Sequence, residues 1–109
     1  MTEFIVVIVT CASPAEAEHI AEQLVAERLA ACGTTVPNAR SIFRWQGQVN
    51  RESEVLLLLK TRAALFARLR DRTRQLHSYE VPEIIALPIA AGDESYLAWL
   101  QAETQTNKA

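Results

Sequence analysis

Glycine is scarce in this chain, with three in 109 residues, and cysteine and histidine are scarcer still, with two of each. So few glycines leave no phosphate-cradling glycine loop. Cys11 and Cys32 form no Cys-x-x-Cys pair and no disulfide framework, which points to a reducing compartment. His19 and His77 do not make a His-x-His pair, so a closed structural zinc site within one chain is not expected. A basic excess is missing too. Eleven Lys and Arg stand against thirteen Asp and Glu, for a net charge of −2, which argues against a general nucleic-acid binder. The run Arg62, Arg68, Arg70, Arg72 and Arg74 spreads over several helix faces and reads as solvated surface. The apolar stretch from Phe4 to Val9 is too short for a membrane span, and it follows no basic segment of the kind that opens a secretion signal. The expectation is a cytoplasmic protein with neither a membrane nor a nucleic-acid partner. There is no nucleophile elbow in a Ser-His-Asp order and no obvious carboxylate pair, so an enzyme is not expected either.

What the chain does have is a hydrophobic half, enough for one core, in a length close to the commonest domain size. Residues 1–109 therefore read as a single domain. A chain this short buries only about two-thirds of its unfolded surface, so self-association would help it. Phe4–Thr10 is a β-branched apolar run, the pattern of a strand covered on both faces. Ser13, Pro14 and Glu16 make a capping box, opening a helix whose inner stripe is Ala17, Ile20, Ala21, Leu24 and Val25. That helix is expected to reach about Ala31, with Gly33 as its C-cap residue. Thr34–Trp45 reads as extended, with Pro37 marking an edge or a bulge. Gln46-Gly47-Gln48 supplies a turn, and Glu54–Thr61 is the returning strand. A second helix starts at Thr61 or Arg62, carries Phe66, Leu69, Thr73 and Leu76 inward, and ends before Pro82. Ile84–Leu87 is a fourth strand, Gly92-Asp93 caps a short last helix, and the tail from Thr104 reads as frayed.

The order is β-α-β-β-α-β plus a short C-terminal helix, the α+β, ferredoxin-like split β-α-β fold with an antiparallel sheet. Ile5–Val9 and Val55–Leu59 are apolar on both faces, so the sheet face away from the helices should pack against other subunits.

Six stretches then resemble the CutA divalent-cation tolerance family, in the same order. They are Val9-Thr10-Cys11, Glu27–Cys32, Ser41–Gly47, Leu58–Thr61, His77–Ile85 and Tyr96–Leu100, covering nearly the whole chain. The resemblance implies a tight homotrimer in which the long hairpin of one subunit reaches its neighbour. It also implies a role in tolerance to divalent metals, copper above all. One departure stands out: family members commonly have His-Pro-Tyr where this chain has His77-Ser78-Tyr79, and loss of the proline should loosen the backbone there. The architecture also resembles the PII signalling trimers, which bind nucleotides and anions between subunits.

Cys11 ends the first strand just before a helix N-terminus, where a thiol pKa falls and a thiolate can bind a soft metal; the plainer reading is a small buried hydrophobe. The resemblance links a cysteine at this position to copper. Cys32 reads as core. His77, beside Tyr79, Glu80 and Glu83, is the stronger histidine candidate, since imidazole plus carboxylate suits copper or zinc. Its competing role is to cap the last turn of its helix. The metal set is therefore Cys11, His77 and Glu83, across a subunit cleft, for copper or another divalent metal and with no organic cofactor. Lys60, Trp45 and Tyr79, recurrent family positions along with Arg44, make the set that would line a polar pocket for a small anion in a PII-like signalling module. Each also has a plainer reading, as an interface anchor or an ion-pair member.

Overall fold

The computed structural model describes residues 3–105. Its elements run β1 (Phe4–Cys11), α1 (Pro14–Ala26), β2 (Cys32–Trp45), β3 (Gln48–Arg62), a 3-10 turn (Ala63–Leu65), α2 (Phe66–Leu76), β4 (Ile84–Pro88) and α3 (Glu94–Glu103). The four strands form one antiparallel sheet in the order β2-β3-β1-β4. This is the split β-α-β arrangement expected from the element order.

Local chemistry explains most boundaries. Ser13 Oγ accepts from the Glu16 N–H at 3.1 Å, so α1 starts at the expected cap. It stops earlier than expected, at Ala26, because the chain turns left-handed at Arg28 (φ 61°). The Arg28 N–H then donates to Val25 O (3.1 Å) and the Leu29 N–H to Leu24 O (2.9 Å), the Schellman pattern with arginine in the usual glycine place. Gly33 is thus not a cap. It lies on β2 paired with Leu59, where a Cβ would sit 2.9 Å from Ala21 Cβ. Glycine is there because α1 crosses β2 too closely for any side chain.

Pro37 sits on edge strand β2 at an irregularity between Val36 and Ala39, as its missing N–H requires. The hairpin tip is Gln46-Gly47, with φ of 52° and 79°, the two-residue turn whose twist matches its strands. The polar stretch before Ser53 is therefore strand and not turn, and β3 begins at Gln48 instead of Glu54.

Helices α1 and α2 cover one sheet face. Val7, Val9, Leu57 and Leu59 are buried there against Ile20, Leu24 and Leu69. The register puts Val6, Ile8, Leu56, Leu58, Ile85 and Leu87 on the other face. In the single chain Ile85 and Leu87 are 49% and 51% exposed there. From Glu54 to the tip the hairpin has, among the described residues, no third strand beside it. Thr104, expected in a frayed tail, is buried and accepts from Arg62 Nε at 2.9 Å, tying α3 to the end of β3. The remaining tail, residues 106–109, lies outside the described part. No described helix is long and apolar enough to cross a membrane.

Candidate functional site

The loop from His77 to Glu83 carries the chain from α2 to β4 past the C-terminal end of β1, and the functional candidates collect around it. Its anchor is Glu16, the capping-box glutamate. Glu16 Oε1 accepts from the Ala12 N–H at 3.0 Å and Oε2 from the Ser78 N–H at 2.7 Å. A proline at position 78 would have no N–H to give, so this chain gains a tie at the point where the sequence suggested loosening. Burial pushes the Glu16 carboxyl pKa up, but hydrogen bonds from Ser78 and Ala12 and the nearby His77 ring outweigh it and leave it below the usual value.

His77 is buried and does not cap α2 with its ring. Its Nδ1 accepts from the Tyr79 N–H at 3.0 Å, which places the proton on Nε2. Nε2 then donates to Thr10 O at 2.7 Å. Both ring nitrogens are thus engaged with backbone. Cys11 Sγ, a Glu16 oxygen and a His77 nitrogen lie within 4.8 Å of one another. Two of the expected metal ligands, Cys11 and His77, therefore come together, and Glu16 is the third member. Glu83 is exposed and lines the neighbouring cleft instead. Glu16 was missed because its capping role already accounted for it in the sequence.

The thiol differs from its expected state. Burial, followed by the negative charges of Glu16 and Glu54, pushes Cys11 up from 9.0 to about 12. These influences oppose the thiolate that a helix N-terminus favours. The donor set, one sulphur, one nitrogen and one oxygen, suits a thiophilic divalent ion in kind. To hold one, Cys11 would release its proton and His77 Nδ1 would give up the Tyr79 N–H.

Tyr79 links this cluster to open space. Its ring lies 4.7 Å from the His77 ring, and its hydroxyl donates to Glu54 Oε2 at 2.7 Å. Burial first, then that bond to Glu54, pushes the phenol pKa up. Tyr79 and Trp45 line two adjoining cavities of about 440 and 370 Å³ between the hairpin and the loop. Lys60 does not join them. It lies near the other end of β3, paired with Cys32, and its Nζ donates to Thr34 Oγ1 at 3.0 Å. Arg44 lines neither cavity. Cys32, expected in the core, is half-buried on the sheet face away from α1 and α2, with its Sγ 3.5 Å from Tyr96 Oη of α3.

A split β-α-β chain with a long overhanging hairpin, and a Cys-Glu-His cluster behind the cleft under that hairpin, defines a ferredoxin-like protein with an intact candidate cation site. Residues 5–103 match the family model described as CutA1 divalent ion tolerance protein, and the chain belongs to that family. The divalent-cation tolerance protein CutA of Thermus thermophilus is 52% identical over 99 residues, covering 91% of this chain and 96% of that protein. Human protein CutA is 42% identical over 98 residues, covering 90% of this chain, which spans only 55% of the human protein's length. The crystal structure of CutA1 from Oryza sativa superimposes with a TM-score of 0.93 at 39% identity, covering 97% of each chain.

Proposed function

We propose that this chain serves divalent-cation tolerance as a cytoplasmic homotrimer that binds a thiophilic divalent ion, copper first, and does so as a binder and not as a catalyst. The observation that carries the reading is the convergence of Cys11, Glu16 and His77 within 4.8 Å. Copper leads because it heads the divalent affinity order for nitrogen and sulphur donors. Self-association is supported by two features. Ile85 and Leu87 on the outer sheet face stay about half exposed, and a two-stranded ribbon such as the end of the hairpin is marginal without something packed on it. Ile42 and Val49, at 64% and 58% exposed, are the apolar surfaces such packing would hide. The cleft, with Glu83 on its wall, would then lie between subunits. The anion-sensing alternative has less support, because among the described residues no lysine or arginine lines either cavity next to Tyr79.

Titration calorimetry of metal-free protein with copper(II), with oligomeric mass followed in parallel, tests this. Expected is saturable binding, micromolar or tighter, that weakens as pH falls because a thiol proton must leave. Cys11→Ser and His77→Ala should abolish it while the assembly persists. Saturable binding unchanged in both variants, or none to an intact oligomer, refutes the metal site. A mass of one chain refutes the trimer.

A further inference from the structure

The hairpin arm separates its charges by face. Register pairs Ser41 with Glu52, Phe43 with Asn50 and Trp45 with Gln48 on one face, and Arg40 with Ser53, Ile42 with Arg51 and Arg44 with Val49 on the other. All three arginines of the arm are therefore turned away from the face that carries Phe43, Trp45 and Glu52. That aromatic and acidic face looks onto the loop of Tyr79, Glu80 and Glu83. The two cavities enclosed between them share Phe43, Trp45, Glu54, Tyr79 and Val81 and, among the described residues, carry four glutamates in all and no lysine or arginine in their walls.

Glu54 is the decisive residue. It is 7% exposed, lines both cavities, and takes a neutral hydrogen bond from Tyr79. Among the described residues no Lys, Arg or His nitrogen comes within ion-pair distance of it. A buried carboxylate without a counter-charge is costly, and this one faces a cavity of ligand size. The missing partner is a cation.

The kind of cation follows from the rest of the wall. A small, strongly hydrated metal ion needs converging ligand atoms. Among the described residues the convergence of three is Cys11–Glu16–His77, behind the cleft and not across it. The cleft glutamates form no such cluster, and Phe43, Trp45 and Tyr79 line the same walls. Aromatic faces attract large, weakly hydrated cations through the ring quadrupole and pack against their carbon atoms.

We propose that this cleft binds a small organic cation, an ammonium or guanidinium group on a short aliphatic chain. The charge rests at Glu54, and the carbon chain lies against Phe43 and Trp45. The site is separate from the metal cluster and stands whether or not that cluster binds metal.

The test uses the full chain in its native assembly. Trp99→Phe leaves Trp45 as the remaining tryptophan of two, so its emission reports the cleft. Putrescine and agmatine should shift that emission saturably. Glu54→Gln, which keeps shape and can still accept from Tyr79, should weaken binding at least about tenfold. Glu80→Gln, on the exposed rim, should weaken it less, and it keeps the test open if Glu54→Gln does not fold. Cys11→Ser and Lys60→Ala should leave it unchanged. The proposal is overturned by any of four results: no saturation up to about 10 mM, the weak end of useful affinity; equal affinity in both glutamate variants; preference for ATP or citrate; or binding that appears only once Arg44→Ala and Arg51→Ala remove guanidinium groups that a neighbouring copy had seated there.

Discussion

Gly33→Ala is the most direct probe of how α1 seats on the sheet. The backbone at Gly33 is outside the left-handed region, so no conformational penalty attaches to alanine there. Space is the issue. The new Cβ would lie 2.9 Å from Ala21 Cβ, 3.1 Å from Leu59 Cδ2 and 3.4 Å from Leu57 Cδ1. The leucine tips can rotate, but Ala21 Cβ is fixed to a helix and can move only with it. Overpacking of this kind costs about 1–3 kcal/mol. The smaller entropy of an unfolded chain with alanine returns about 0.4–1 kcal/mol. A net loss of about 1–2 kcal/mol is expected, and with it a melting point lower by about 4–8 °C per kcal/mol. Urea unfolding at one fixed protomer concentration reads this, since association also moves the midpoint. The partner substitution makes the reasoning sharper. Ala21→Gly costs about 1 kcal/mol in its own right as a helix-interior glycine, but it removes the clash, so Gly33→Ala should cost less in that background. A coupling of about 0.5–3 kcal/mol is the range for touching residues. If Gly33→Ala leaves stability unchanged or raises it, or costs the same in both backgrounds, close approach is not why glycine stands at 33.

Two further outcomes follow from the cluster. The Glu16 carboxyl is held below its usual 4.5, so its contribution is present above that value and is lost as pH falls through its folded-state pKa. Glu16→Gln should lose about 0.5–1.5 kcal/mol at neutral pH, as its amide keeps one acceptor for the two exposed N–H groups of Ala12 and Ser78, and should flatten the acid limb of stability; identical acid limbs in urea titrations of parent and variant would refute this. Cys11 is raised from 9.0 to about 12, so its contribution is full below 9.0 and declines as pH climbs toward 12. In a Cys32→Ser background, a thiol reagent at about pH 8 should label Cys11 only as fast as the protein opens, and prompt stoichiometric labelling of native protein would show the thiol to be accessible and ionised.

Much of the fold was legible in the residues because its signals are local. Ser13-Pro14-Ala15-Glu16 placed the start of α1, Pro37 the irregular edge, and Asp93 the cap of α3, whose side chain accepts from the Tyr96 N–H at 3.2 Å. The end of α1 was not legible. Arginine is a poor candidate for the left-handed position that Arg28 takes, and the burial of Leu29 and Ala30 holds the chain there. Nor was the length of the hairpin. Gln48–Ser53 is polar enough to look like a loop, yet its pairing with Arg40–Trp45 makes it strand.

Sequence alone determined the order of elements, the helix stripes, the apolarity of both sheet faces and the family, because capping, periodicity and motif order are properties of neighbouring residues. Tertiary structure decided the site. It brought Cys11, Glu16 and His77 from three separate segments to within 4.8 Å. It left Lys60 beside Cys32 and away from Trp45 and Tyr79, and turned the arginines of the arm away from the cleft. It also set the protonation of Cys11, where burial and two carboxylates prevail over the helix N-terminus. Strand register, loop path and desolvation govern these outcomes, and each depends on residues far apart in the chain.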